Sequence, residues 1–178
     1  GYRGCRDCYT DNRKPSPGHR ERLDLEWDRK SGLLQSVYIR FSLPPATVPA
    51  DSRISSGTLT LWCFRQSVGG GTAAVCVVKD TWNDSLSFEE ASRLKVEELR
   101  RYTFGNYRPE GKDNVDPPRA VDIDITEAVM KWIDDPNTNH GICLIPVKGA
   151  RNMDLRFYSS ESRRIEFRPS LKIVYFER

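Results

Sequence analysis

Apolar and polar residues alternate with a period of two along much of the chain, and this pattern predicts β-strands. In the segment 37–43, VYIRFSL, every odd position is apolar. Neighbouring side chains of a strand point to opposite faces, so the odd positions would face the core. Tyr38 and Arg40 would then face outward, and Pro44 with Pro45 would end the strand.

Similar patterns recur further along the chain. In the segment 58–64 the odd positions form a second core face, while Trp62 and Phe64 share the opposite face. The segment 73–79 is rich in β-branched residues, and we expect it to pair antiparallel with 58–64. Later strands are predicted at 121–125, 142–147, 153–158 and 171–176. We expect the strand at 171–176 to pair with the N-terminal region and so complete a sheet.

Two segments depart from this alternation and predict short amphipathic helices. In the segment 88–101, FEEASRLKVEELRR, Ser87 is placed as the N-cap and Glu90 follows three residues later. In the segment 126–133 the apolar residues return at helical spacing, with Thr126 placed to cap the helix. One helical face there gathers the apolar side chains of Ala128, Val129, Trp132 and Ile133.

The balance of these elements indicates the fold class. Strands dominate and no β-α-β series recurs, so we predict an all-β fold, an antiparallel two-sheet β-sandwich with two short helices. The length of 178 residues suits a single domain over 1–178. That domain would carry a helical and proline-rich insertion at about 87–118.

Charge and composition favour neither a nucleic-acid partner nor insertion into a membrane. Lys and Arg number 28 against 25 Asp and Glu, and a net charge of +3 is too weak to indicate nucleic-acid binding. No run approaches the roughly 18 apolar residues that a membrane-spanning helix needs, so we predict no membrane insertion.

Catalytic motifs are missing from the sequence. It contains no nucleophile elbow, phosphate-binding loop or zinc-protease motif. Asp122 and Asp124 would project about 6–7 Å apart from one strand face, which the pattern assigns to solvent. The two histidines are His19 and His140, and His140 lies in an Asn-His-Gly turn. We therefore predict a protein that is not an enzyme.

The chain has five cysteines, so at least one thiol stays free or pairs between molecules. Cys5 and Cys8 have the spacing of half a zinc site, but no second pair completes it, which favours a local disulfide or two unpaired thiols. Cys63, Cys76 and Cys143 lie in apolar stretches, where buried small hydrophobes are the expected role.

The first 30 residues mix basic and acidic side chains with Tyr9 and Trp27. This region would either bind an acidic polymer or form a solvated loop. The carboxylate oxygens of its acidic residues could bind a structural calcium ion, although the sequence contains no ordered calcium-binding loop. The acids concerned are Asp7, Asp11, Glu21, Asp24, Glu26 and Asp28.

Aromatic and basic residues alternate on the predicted outer faces, and they form the candidate binding site. Aromatic rings stack on the C–H faces of sugars, and guanidinium forks match carboxylate and sulfate groups. The alternative is that these side chains only pack beneath loops or helices, and Trp62 in particular suits a packing role. The candidate residues are Tyr38, Arg40, Trp62, Arg156, Tyr158 and Lys172.

Four segments in order resemble the DNRLRE-type domains of secreted proteins, over most of residues 37–178. Asp7, Cys8 and Tyr9 also resemble the opening strand of that family. Within the third segment, DITEAVMKW at 124–132 is in addition similar to a DVT-x-x-V-x-x-W element of transforming growth factor β prodomains. The matching segments are SVYIRFSLPPATVPADSRISSGTLTLWCF, KDTWNDSLSFEEAS, VDIDITEAVMKWIDDPNTNHGICL and LRFYSSESRRIEFRPSLKIVYFE.

This resemblance implies a secreted or cell-surface β-jelly-roll that resembles carbohydrate-binding modules for acidic polysaccharides. It also implies a parent protein with a catalytic or surface-anchoring domain. We therefore predict a non-catalytic module that binds an acidic or sulfated polysaccharide. The alternative is a structural or scaffolding module of an extracellular assembly, with no sugar ligand.

Overall fold

The computed structural model describes residues 4–15, 20–44, 47–49, 51–66, 70–105, 118–149 and 152–177. Within them the protein is mostly β, with two α-helices, and its antiparallel sheet is curled as a half-barrel. The predicted all-β class and the two short helices are therefore confirmed. His19 and most of the predicted proline-rich loop lie outside the described residues.

The strands follow one another along the chain, and the helices interrupt them twice. The first helix, α1 (Phe88–Ala91), lies between the fifth and sixth strands, and the second, α2 (Thr126–Asp134), follows the seventh. The strands are β1 (Cys5–Asp11), β2 (Arg22–Asp28), β3 (Leu33–Phe41), β4 (Arg53–Gln66), β5 (Thr72–Val78), β6 (Val96–Thr103), β7 (Arg119–Asp124), β8 (Ile142–Pro146), β9 (Met153–Tyr158) and β10 (Ser170–Phe176).

All neighbouring strands pair antiparallel, in the order β10-β4-β9-β2-β3-β8-β5-β6. Two long strands carry additional partners, since β1 pairs with β3 and β7 pairs with β4. The branches at β3 and β4 let the sheet curl, because each of these strands forms hydrogen bonds with different strands along its length. Their N-terminal and C-terminal halves thereby belong to different parts of the curled sheet.

The concave side of the sheet encloses the main hydrophobic core, to which nearly every strand contributes. Val37, Ile39 and Phe41 of β3 are buried there, together with Leu59 and Leu61 of β4. These are the odd positions that the alternation assigned to the core face, so that prediction is confirmed.

A second, smaller cluster lies on the opposite face of β1, β3, β8 and β5, beneath the segment 79–95. This segment closes on itself, since the amide of Lys79 donates to the carbonyl oxygen of Lys95 at 2.9 Å. Trp82 anchors it to the sheet by donating its indole N–H to the carbonyl oxygen of His140 at 2.7 Å. The cluster consists of Cys8, Tyr38, Ala74, Cys76, Val78, Trp82, Leu86, Ala91 and Cys143.

The predicted helix over 88–101 is correct only at its start. Ser87 is the N-cap, as predicted. Its hydroxyl oxygen accepts the backbone amide of Glu90, and the Glu90 carboxylate accepts the backbone amide of Ser87. The helix ends at Ala91, however, and the following residues form the edge strand β6. Pairing with β5 overrides the helical pattern there, because an exposed edge strand tolerates charged side chains on both faces.

Helix α2 packs its predicted face on β4, with Ala128, Val129 and Trp132 buried. Thr126, however, is the first helical residue and does not cap the helix, which corrects the prediction. The Asp124 carboxylate accepts the Thr126 amide at 2.9 Å and its hydroxyl at 2.6 Å. The Thr126 hydroxyl oxygen in turn accepts the Gly57 amide at 3.0 Å, which ties the helix to β4.

Two predicted pairings are wrong. The strand β5 pairs with β6 and β8 instead of β4, and β10 pairs with β4 instead of the N-terminal region. The N-terminal region instead supplies β1 beside β3 and β2 beside β9. Alternation predicts where a strand lies but not which distant strand supplies its backbone partners.

The two ends of the curled sheet approach each other through side chains. Arg100 of β6 donates to Asp124 of β7 at 2.7 Å, and its other terminal nitrogen lies 3.8 Å from Glu127 of α2. Glu97 of β6 is held between Lys79 and Lys131 at 2.6 and 3.3 Å. Within the described residues no backbone ladder joins β6 to β7, so these ion pairs close the seam.

Candidate functional site

Four aromatic rings form a continuous row on the convex face of β4 and β9. Trp62 packs on Phe167 with ring centroids 5.1 Å apart, and Phe167 stacks on Tyr158 at 5.3 Å with an interplanar angle of 21°. Phe64 continues the row, 4.6 Å from Tyr158. All four side chains are half-buried, so each shows part of its ring to solvent. We call these four residues the aromatic row.

A β-bulge in β4 shapes one end of the aromatic row. Cys63 pairs with Phe157 and Arg65 with Arg156, so the register shifts by one residue at Phe64. A bulge places two residues opposite one and redirects a side chain. Arg65 is consequently exposed beside Phe64 and opposite Arg156, and it makes no ion pair with the described residues.

Arg156 is a less available cation than Arg65. Its Nε lies 3.9 Å from the Asp24 carboxylate and 3.8 Å from that of Asp154, and its side chain is 24% exposed. Arg22 also approaches Asp24, at 3.2 Å. Burial raises the pKa of Asp24, and the two arginines oppose that rise. An anionic ligand would therefore meet less local repulsion at Arg65 than at Arg156.

Lys172 lies on the same convex face as the aromatic row but farther along β4. It is exposed on β10 directly opposite Thr58, which is four positions before Trp62. At about 3.3 Å per residue, that places the two side chains roughly 13 Å apart along the strand. The structure thus brings Trp62, Arg156 and Tyr158 together and puts Lys172 at the far end of the same face.

Tyr38 is not part of this surface, and the expectation that it is exposed is wrong. The side chain is 3% exposed and packs edge-on against Trp82, with ring centroids 5.9 Å apart. The alternation correctly assigned it to the face opposite the core. The segment 79–95 covers that face, and a single strand pattern contains no information about such a cover.

Arg40 lies on a separate surface. It faces outward from β3 directly opposite Arg6 of β1, and neither makes an ion pair with the described residues. Like charges directly opposite each other across strands are unfavourable unless solvent or an anion separates them. The pair shares no element with the aromatic row.

Sequence reasoning missed Phe64, Arg65 and Phe167 as members of the site. Phe64 was placed on the correct outer face, but the bulge that brings Arg65 to its side leaves no periodic signal. Phe167 belongs to a short 3-10 turn, Ile165–Phe167, whose fold onto β4 and β9 is a tertiary event. Its neighbour Ile165 is 70% exposed and extends the apolar character of this surface.

The acidic residues of the N-terminal region are used within the protein. Asp7 accepts the Ser160 amide at 2.6 Å, Asp11 accepts the Gln35 side-chain amide at 2.8 Å, and Asp28 accepts the Ser31 hydroxyl at 2.5 Å. Across the described ranges no group of three or more His, Cys, Asp or Glu side chains is placed to hold a metal ion.

Cys5 and Cys8 do not form the local disulfide that was one of the two predicted outcomes. Both are free and buried, and they lie in different clusters on opposite faces of β1. Residues three apart on a strand point in opposite directions, so their sulfurs are separated by the sheet itself.

Comparison with known proteins identifies no family for this chain. No protein-family model matches the chain, and no curated protein matches it. Within the described residues the structure contains no helix that is long and apolar enough to cross a membrane. The resemblance to DNRLRE-type domains stays a prediction.

Proposed function

We propose that the protein is a non-catalytic carbohydrate-binding module that recognises an acidic or sulfated polysaccharide. The observation that carries this proposal is the aromatic row, Trp62, Phe167, Tyr158 and Phe64, with Arg65 at its end, exposed and without an ion pair to the part of the chain that the structure describes. Part of the sequence-predicted set, Trp62, Arg156 and Tyr158, lies on this surface.

The chemistry of the row suits a sugar chain. Large rigid side chains offer contact area at a low cost in conformational entropy, and their faces complement the C–H faces of a pyranose. The row is held by ring-to-ring packing, so it is organised before a ligand arrives and less binding energy is lost to ordering.

The basic side chains on the same face as the aromatic row suit an anionic polymer. Arg65 presents a planar fork that matches a carboxylate or a sulfate, and Lys172 offers a point charge about 13 Å from Trp62 along the strand. Arg156 is engaged by Asp24 and Asp154, so we assign it the role of bordering and orienting the ligand.

The proposal includes the finer fold and its setting. We propose that the curled sheet is a two-sheet jelly-roll sandwich, with β1, β3, β8, β5 and β6 in one sheet and β2, β9, β4, β7 and β10 in the other. The β2–β3 hairpin would then join the two sheets at a corner. The setting is a secreted or cell-surface protein in which this module accompanies a catalytic or anchoring domain.

Affinity gels and a glycan array that contains uronate and sulfated polysaccharides test the proposal. We expect retention of the protein by at least one anionic polysaccharide at low salt, and weaker retention as salt screens the charges. Neutral polysaccharides of similar backbone should retain it less. If no anionic polysaccharide binds, or if the affinity is insensitive to salt, the proposal is wrong.

The scaffolding alternative gives a different result in the same preparation. A scaffold would self-associate in size-exclusion chromatography and would bind no glycan. A monomer that binds an anionic polysaccharide excludes it.

A further inference from the structure

Two of the five cysteines lie directly opposite each other on adjacent strands. The ladder between β5 and β8 pairs Cys76 with Cys143. Directly opposed residues of an antiparallel pair have Cα atoms about 4.5–5.5 Å apart and side chains on the same face. A disulfide needs Cα atoms about 4.4–6.8 Å apart, so the backbone already has a suitable separation.

The two side chains are also in contact. Both are buried in the cluster beneath the segment 79–95, with exposed fractions of 3% for Cys76 and 0% for Cys143. A side-chain hydrogen bond joins the two sulfurs, and together with burial it holds the pKa of Cys143 well above its usual range. The thiols therefore share one dry site in the reduced protein.

Sheet register separates the other cysteines from this pair. Cys8 lies in the same cluster, but Tyr38 stands between it and Cys143, because Tyr38 pairs with Cys8 on one side and with Cys143 on the other. Two strand spacings amount to roughly 9–10 Å, which exceeds the reach of a disulfide.

Cys5 and Cys63 lie on the concave side, in the main core. They belong to β1 and β4, which three other strands separate in the sheet order. Of the ten pairings that five cysteines allow, only Cys76 with Cys143 places the two residues directly opposite each other on adjacent strands.

We propose that Cys76 and Cys143 form a cross-strand disulfide when the chain folds in the presence of a disulfide oxidant. One thiolate attacks a sulfur of a small disulfide such as oxidised glutathione, and one thiol of the oxidant leaves. The second thiolate then attacks the mixed disulfide and releases the other thiol. The cysteines lose two protons and two electrons, and the oxidant takes them up as two thiols.

The cover over the pair determines when the reaction occurs. Trp82, Leu86 and Ala91 pack over the cysteines, and Trp82 is tied down by its bond to His140. An oxidant reaches the sulfurs while the chain folds or when the segment 79–95 lifts. In the folded reduced protein the pair should oxidise slowly, and once formed the disulfide should resist reducing agents for the same reason.

The test uses the full chain, reduced and unfolded, and then refolded in a buffer of oxidised and reduced glutathione. We expect three thiols to remain when the product is denatured and alkylated, and the intact mass to fall by the mass of two hydrogens. Peptide mapping should find one crosslink, between the segments that contain Cys76 and Cys143. The oxidised form should melt about 10 °C above the reduced form, since the disulfide closes a long loop.

Matched variants assign the crosslink. Cys76→Ala and Cys143→Ala should each abolish both the mass loss and the rise in melting temperature. Cys63→Ala removes a buried cysteine outside the pair and should keep both. Five remaining thiols in the refolded wild-type protein, or a dominant crosslink through Cys5, Cys8 or Cys63, would overturn the proposal. The wild-type peptide map decides the matter even if an alanine variant fails to fold.

Discussion

The backbone amide of Ser160 donates a hydrogen bond of 2.6 Å to the Asp7 carboxylate, and it thereby fastens the first strand to the loop that leaves β9. Asp7 is 6% exposed, and Glu161 and Asp84 add negative charge to its surroundings. Burial raises the pKa of Asp7 to about 7, while the hydrogen bonds from Ser160 limit that rise. The contact therefore couples the attachment of β1 to pH.

The sign of this coupling follows from the raised pKa. In the unfolded chain Asp7 loses its proton near pH 4, whereas in the folded protein it holds the proton until about pH 7. The free energy of unfolding should thus fall as pH rises from about 4 to 7, by up to about 4 kcal/mol from this group. Urea unfolding at pH 4.5, 6 and 7.5 measures the fall.

Asp7→Asn removes this titration but keeps an oxygen that can accept the Ser160 amide. We expect the variant to show a flatter pH dependence and to exceed the wild type in stability at pH 7.5. Asp134→Asn, at an exposed position of α2, is the control and should follow the wild-type profile. Equal slopes in the wild type and Asp7→Asn would show that Asp7 does not titrate in this range.

The aromatic row should dominate affinity for the polysaccharide. We expect Trp62→Leu to weaken binding about tenfold, which is on the order of 1.4 kcal/mol, because a central aromatic contact is lost. Phe176→Leu removes an exposed aromatic at the far end of β10, opposite Arg53, and should leave affinity unchanged. Isothermal titration with the polysaccharide selected on the array gives both values.

Arg65 should carry much of the salt dependence. Arg65→Gln keeps a long polar side chain but removes the charge, so affinity at low salt should fall while affinity at high salt changes little. Arg93→Gln disrupts an exposed ion pair with Glu89 on the segment 79–95 and serves as the matched control. A loss of affinity in both variants would indicate attraction by overall charge instead of a site.

Gly57 should be indispensable for the packing of α2 on β4. A Cβ atom at this position would lie 2.5 Å from Cγ2 and 2.9 Å from Cβ of Val129, so either the helix or the strand must move. We expect Gly57→Ala to lower the free energy of unfolding by about 1–3 kcal/mol. Gly105→Ala is the control, because a Cβ atom there meets no atom within 4 Å. Thermal unfolding of both variants would show whether the close approach is as strict as the contacts indicate.

The seam between β6 and β7 should respond to salt. Arg100→Gln removes the contacts to Asp124 and Glu127, and we expect a loss of about 0.5–1 kcal/mol at low salt, since the groups are partly exposed. The loss should shrink at 1 M salt. Arg101→Gln breaks an ion pair with Glu98 inside the same strand, so it does not loosen the seam. A comparable loss of stability in Arg101→Gln would show that the ion pairs between β6 and β7 contribute no more than an ion pair within one strand.

The amino-acid pattern correctly predicted most of the strands that keep a regular alternation. It placed Leu59 and Leu61 in the core and the rings of Trp62 and Phe64 on the outer face. Tertiary pairing overrode it at residues 96–101, where a helical pattern yields to the edge strand β6. It also missed β2, although Leu23 and Leu25 alternate with polar residues there and are buried in the core.

In the candidate site, too, the sequence pattern predicted some features and the tertiary structure determined the others. Local alternation could place Trp62, Arg156 and Tyr158 on outward faces, because a side chain's direction depends on its own strand. It could not show that Tyr38 is covered by the segment 79–95 or that Arg40 lies on another surface. It also could not show that Phe167 folds over Trp62. These outcomes depend on contacts between residues that are distant in the chain.

The sequence by itself determined a strand-rich chain with a definite inner and outer face on most strands, because a strand's side-chain period is a local property. Only the tertiary structure decided which strands pair, which outer faces remain open, and that Cys76 faces Cys143. Register and branching at β3 and β4 arise from the burial of the whole core at once. No single segment contains that information.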